Sequence, residues 1–162
     1  MPWSLTLTNS PLTISVSLNL FIVLAWTLCS GGENGPTSAY PNPTVGAILV
    51  AKDGRFLGQA RSDYKNEAVR ACLENAGLEM TPLTEWCVQW PQQSDLRHDL
   101  LHSTLYVTLE PNHERRGSAL PPTTQLIQQA GIPRVVIGSL NPVDSRAAKG
   151  AAALHNAGIE VS

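Results

Sequence analysis

The sequence predicts an α/β fold, and three stretches carry that prediction. Thr44–Ala51 is a nearly continuous apolar run, the pattern of a strand in the middle of a sheet covered on both faces. Thr104–Leu109 alternates, with Leu105, Val107 and Leu109 on one side and Thr104, Tyr106 and Thr108 on the other, which predicts a second strand. Glu110-Pro111 ends it, a polar loop containing Gly117 follows, and Pro121-Pro122 opens a helix in which Leu126, Ile127 and Ala130 share a side.

The remaining elements follow from turn chemistry and spacing. Asp53-Gly54 predicts a tight hairpin into Arg55–Arg61, so the first two strands should be antiparallel neighbours. Gly131 and Pro133 close the helix, Arg134–Gly138 is the next strand, and Asn141-Pro142 begins a loop. Ala147, Ala148, Ala151, Ala152 and Leu154 then predict a small-residue helix able to approach the sheet closely, with His155 complementing the dipole at its end. Trp86, Cys87, Val88, Trp90 and Pro91 give no clear element, and the two tryptophans are expected to cover the edge of the core.

The chain's 162 residues suit one domain, with residues 1–13 a loosely held N-terminal arm and residues 14–162 folded. A net charge of −2 with 15% charged residues offers no basic surface for nucleic acid or for an anionic membrane, so binding is expected in a pocket. Cys29, Cys72 and Cys87 are odd in number and lack metal-knuckle spacing. They read as free thiols in a reducing compartment, consistent with a cytoplasmic protein. Ile14–Cys29 is the most apolar run, but no Lys or Arg precedes Lys52 to form a signal's basic end. Its uninterrupted apolar part also falls short of the ~20 residues a membrane span needs, so it is expected to be a soluble helix packed on the sheet.

The succession of strand, Glu110-Pro111, loop, Pro121-Pro122 and helix resembles the cytidine-deaminase superfamily, and most closely the pyrimidine deaminase domain of riboflavin biosynthesis. Tyr40–Val50, Ala130–Gly138, Asn141-Pro142 and Ala157–Val161 extend the resemblance over roughly residues 18–162. It implies a three-layer α/β/α cytidine-deaminase-like fold with a mixed sheet of about five strands. It also implies a substrate pocket near Asn42, Val45 and Gly46. Asn42, between two prolines, serves equally well as a turn residue.

The family's catalytic signature is where this chain departs from the resemblance. Members carry His-Ala-Glu at the start of a helix and two cysteines after the Glu-Pro strand; together these hold a zinc-activated water and shuttle its protons. Here Asn66 stands at the histidine position, Ala68 at the glutamate, and Asn112 and Thr123 at the cysteines. Slipping the register by one residue recovers Glu67 as a weak candidate for the proton shuttle, but places Lys65, a cation near neutrality, at a ligand position. Glu67 otherwise reads as a first-turn acid favoured by the helix dipole. His113, Glu114, Cys72, His98 and His102 make no recognised ligand spacing. His113, Arg115 and Arg116 suit either an anion-binding lip or a solvated charged loop.

The expectation is therefore a deaminase-like protein without zinc or any other cofactor, and without deaminase activity. It would bind a pyrimidine nucleotide or flavin precursor, form a homo-oligomer, or pair with an active deaminase or a reductase. The alternative is an active hydrolase deaminating a diaminopyrimidine ribosyl phosphate in riboflavin biosynthesis.

Overall fold

A computed structural model describes residues 43–63, 66–81, 87–89, 94–114 and 121–162. The predicted arm 1–13, the apolar run 14–29, Asn42, Lys65, Trp86, Trp90, Arg115 and Arg116 lie outside the described residues. The elements are β1 (Gly46–Val50), β2 (Phe56–Arg61), α1 (Ala68–Asn75), β3 (Glu79–Thr81) and β4 (Cys87–Gln89), then α2 (Ser94–Leu101), β5 (Thr104–Val107), α3 (Thr123–Gln129), β6 (Arg134–Ile137), α4 (Lys149–Asn156) and β7 (Glu160–Val161). None of the described helices is long and apolar enough to cross a membrane.

Five strands form a mixed sheet in the order β2-β1-β5-β6-β7. β1 runs antiparallel to both β2 and β5, while β5, β6 and β7 are parallel. The α/β fold with a mixed five-stranded sheet is thus as the sequence predicts. Asp53-Gly54 makes the predicted hairpin, with Gly54 at φ 89°. Every residue of β1 is buried. Ala47 and Leu49 join Leu105, Val107 and Val135 in one core with Leu73, Leu100, Ile127 and Leu154 from the four helices. Ile48, Tyr106 and Val136 align across the sheet on the opposite face and are buried as well. Both faces are therefore withdrawn from water, which is why this strand tolerates no polar position. Each fully buried aliphatic side chain contributes about 1.5–3 kcal/mol.

Three details depart from the sequence reading. β3 and β4 form a separate antiparallel hairpin in the region that predicted no element. β5 ends at Val107 instead of Leu109, because Thr108 turns its hydroxyl toward the chain and Oγ1 accepts the Gly46 N–H at 3.0 Å. The Thr108 carbonyl in turn accepts the Ser139 hydroxyl at 2.7 Å. The last helix starts at Lys149, after Ala148 in a left-handed conformation at φ 62°, so Ala147 and Ala148 precede it.

The close approach expected of the alanines belongs to Gly150, which is buried while Ala152 is exposed. A β-carbon at Gly150 would run into the Pro111 carbonyl oxygen and stand 3.1 Å from Glu110 Cγ. Glu110, only 5% exposed, receives the N–H groups that this packing brings forward. Its Oε2 accepts from Asn141 at 2.9 Å and Ala148 at 3.0 Å, and its Oε1 from Ala151 at 3.0 Å. A buried carboxylate is costly unless its oxygens are satisfied, and unpartnered N–H groups at a helix start carry partial positive charge. Each deficit is met by the other. Burial raises the Glu110 pKa, but the N–H groups of Asn141, Ala151, Ala148 and Gly150 outweigh it and hold the carboxyl below its ordinary range.

Two outcomes follow for stability. Glu110→Ala strands three N–H groups and is expected to cost about 3 kcal/mol or more in urea unfolding. Because the folded-state pKa is depressed, Glu110's contribution is fully present above the unfolded carboxylate range and is lost as pH falls through the folded value. Wild type should therefore lose more stability on acidification than Glu110→Gln does. Gly150→Ala should cost about 1–3 kcal/mol by forcing α4 from Pro111, read as a lower unfolding midpoint.

Candidate functional site

A cavity of about 410 Å³ opens at the end of the sheet where β1 and β5 meet the starts of α1 and α3. Its size falls within the range of small-molecule pockets. Val45, Ala68, Val69, Val107 and Leu109 supply apolar wall, and Ser62, Asp63, Asn66, Glu67, Asn112 and Thr123 supply polar groups. Asn141, Val143 and Arg146 close the side held by Glu110.

The positions the sequence singled out converge here. Asn66, Glu67, Ala68, Asn112 and Thr123 come from three separated stretches and all line this one cavity. Asn66 is fixed by Asp63, whose Oδ1 accepts its backbone N–H at 2.7 Å and whose Oδ2 accepts its side-chain amide at 3.3 Å. Asn112 offers its backbone carbonyl to the Thr124 N–H at 3.1 Å, tying the loop to α3. Thr123 is buried, and its hydroxyl donates to Glu67 Oε2 at 3.1 Å.

That last contact revises the reading of Glu67. It is not a first-turn acid: it precedes α1 with extended backbone (φ −78°, ψ 142°), and its side chain makes no cap. Instead the carboxylate crosses the pocket to the first residue of α3. The sequence signal was present in the adjacent pair Glu67-Ala68, where acid and alanine stand in the reverse of the family's order. Only the backbone at position 67 shows which way the acid faces.

The other expected pocket residues divide. Val45 lines the cavity, with its N–H donated to Ser62 Oγ at 2.8 Å. Gly46 does not; as the first residue of β1 it is held between Arg61 of β2 and Thr108. His113 also stays out of the lining and faces Glu114, with Nε2 3.5 Å from Oε1. Asp63 and Arg146 are lining residues that sequence reasoning missed, since neither belongs to a motif. Cys72 lies fully buried, where desolvation pushes its thiol pKa up to about 12, so it is held as a thiol, and it does not line the cavity. Among the described residues no three His, Cys, Asp or Glu side chains cluster to hold a metal ion.

No family model matches the chain. The riboflavin biosynthesis protein RibD of Aquifex aeolicus is 37% identical over 123 residues, 75% of this chain and 28% of that protein. The diaminohydroxyphosphoribosylamino-pyrimidine deaminase of Buchnera aphidicola is 30% identical over 130 residues, covering 78% of this chain and 72% of that protein. The chain belongs to the riboflavin-biosynthesis pyrimidine deaminase family. Solved structures agree with that membership. Acinetobacter baumannii RibD superposes with a TM-score of 0.69 at 27% identity, over 91% of this chain and 35% of that one. A deaminase/reductase from Thermotoga maritima gives 0.66 at 33% identity, over 89% and 35%. The chain spans under a third of the RibD relative from Aquifex, so its kinship with RibD is to a part of that protein.

The bond across the pocket gives a direct test. Thr123→Val removes the hydroxyl from Glu67 while preserving shape, and is expected to lower stability by about 1 kcal/mol in chemical unfolding. The conservative Thr123→Ser should retain most of it.

Proposed function

We propose that this chain is a zinc-free member of the deaminase family that keeps a nucleotide-sized pocket and binds a pyrimidine ribosyl phosphate without deaminating it, as a binding, regulatory or partner subunit. The observation that carries this reading is the donor set around the cavity. Tetrahedral zinc sites are built from thiolate, imidazole and carboxylate, with one position left to water in a catalytic centre. The side chains at the four signature positions are two amides, a methyl group and a hydroxyl. Neutral amide and hydroxyl oxygens are poor partners for zinc, and the lining carboxylates are already engaged: Glu67 accepts the Thr123 hydroxyl, Asp63 the Asn66 N–H groups, and Glu110 the N–H groups of Asn141, Ala148 and Ala151. These residues do not fit the metal, and without it no group among the described lining residues lowers the pKa of water enough to attack a ring carbon at neutral pH.

What the same residues do supply is hydrogen bonding. Amide, hydroxyl and carboxylate groups on an apolar wall can match the edge of a heterocycle, and the names of the relatives point to a diaminopyrimidine carrying a ribosyl phosphate.

A second reading, an active hydrolase, is favoured by one observation: Glu67 reaches the cavity and could move a proton. The two separate in a single experiment. With the diaminopyrimidine ribosyl phosphate and added zinc, the full chain should show a ligand-dependent rise in unfolding temperature and no ammonia release. Ammonia release abolished by Glu67→Gln would overturn the binding reading in favour of the hydrolase. A variant combining Asn66→His, Glu67→Ala, Ala68→Glu, Asn112→Cys and Thr123→Cys is expected to retain zinc that the parent chain does not hold in its pocket.

A further inference from the structure

We propose that His98 and His102 form a surface site for a divalent transition-metal ion at the C-terminal end of α2. Neither residue lines the pocket, and the inference is independent of what the pocket binds. The sequence reading found no ligand spacing in these histidines, treating them as residues of a polar segment. The structure places His98 within α2 and His102 in the turn that follows, where residues four apart are neighbours on one face. Two histidines at this separation on a helix are an established metal-chelating pair.

The geometry of the pair suits chelation. The ring centroids are 4.6 Å apart with the planes inclined at 59°. With a metal–nitrogen distance of about 2.0–2.1 Å and a further ~1.1 Å from nitrogen to ring centre, two imidazoles on one ion have centroids about 4.5 Å apart at a right angle and about 5.2 Å apart at the tetrahedral angle. The observed spacing falls in that interval. Both side chains are exposed, and no hydrogen bond or ion pair engages their ring nitrogens among the described residues. Asp99, between them in sequence, is directed elsewhere: Arg55 Nη2 donates to its two oxygens at 3.0 and 3.1 Å.

The donor set selects the ion. Imidazole pairs suit copper, nickel and zinc, whereas calcium and magnesium require clusters of oxygen ligands. Because no third His, Cys, Asp or Glu completes a cluster among the described residues, the other coordination positions fall to water and the ion exchanges readily. The ion would join the helix body to the turn beyond it, where the His102 N–H meets the Asp99 carbonyl at 3.2 Å. Binding therefore stabilises the folded chain by mass action.

The test is a calorimetric titration of the metal-free, untagged full chain with copper(II) and with zinc, alongside its unfolding temperature. One equivalent is expected at this site, with a copper(II) resonance spectrum showing two nitrogen donors and a rise in unfolding temperature. His98→Asn and His102→Asn should each abolish that equivalent and the rise, while His113→Asn and His155→Asn keep both. No binding by the parent chain, or undiminished binding by the His98→Asn/His102→Asn double variant, would overturn the site. Binding that survives the double variant but is lost in Glu67→Gln would place the ion in the pocket, and would count against the zinc-free reading as well.

Discussion

The Glu110 carboxylate, buried between a strand end and a helix start, is the constraint from which the rest of this structure takes its shape. Removing a charge from water costs far more than one ordinary hydrogen bond returns, so Glu110 persists only because several N–H groups converge on it. Those groups come from two places, the Asn141 loop and the first turn of α4. Gly150 allows the approach, since any side chain there would meet Pro111. One carboxylate thus fixes where α4 sits, how the chain leaves β5 and where Asn141–Arg146 stands beside the pocket.

The opposite wall is held more lightly. Glu67 and Thr123 bind α1 to α3 through one hydrogen bond across the cavity, and Asp63 orients the turn that carries Asn66. Among the described residues this floor offers amides, hydroxyls and the carboxylates of Asp63 and Glu67. On the proposed reading such groups pair with a heterocycle by its donor and acceptor pattern and leave water at its ordinary acidity. In the proposed account, frame and chemistry have come apart: membership in the deaminase family rests on the frame, and the proposed binding role on the floor.

Much of the frame was legible in the sequence. β1 announced itself because a strand buried on both faces must be apolar throughout, and the β1–β2 turn because Asp53-Gly54 suits only a few backbone shapes. Pro121-Pro122 and Gly131 bracketed α3 for similarly local reasons. What escaped was long-range. The start of α4 carries no capping residue of its own, because its cap is Glu110, 38 positions before Ala148. Glu110 itself looked like the end of a strand, since nothing local distinguishes a buried acid from a solvated one. β3 and β4 are three residues each, too short for periodicity to register. Within the site, the signature positions could be read from residue types, but the direction of Glu67 depended on one backbone torsion. The helix that carries His98 was not recognised in the sequence either.

The central claim, that the pocket kept its frame without its metal, is best tested by locating metal in space. Crystals of the full chain grown with zinc, measured on both sides of the zinc absorption edge, would give an anomalous difference map. The account predicts no peak in the cavity bounded by Asn66, Glu67, Asn112 and Thr123. A strong peak there, within bonding distance of those side chains, would contradict it.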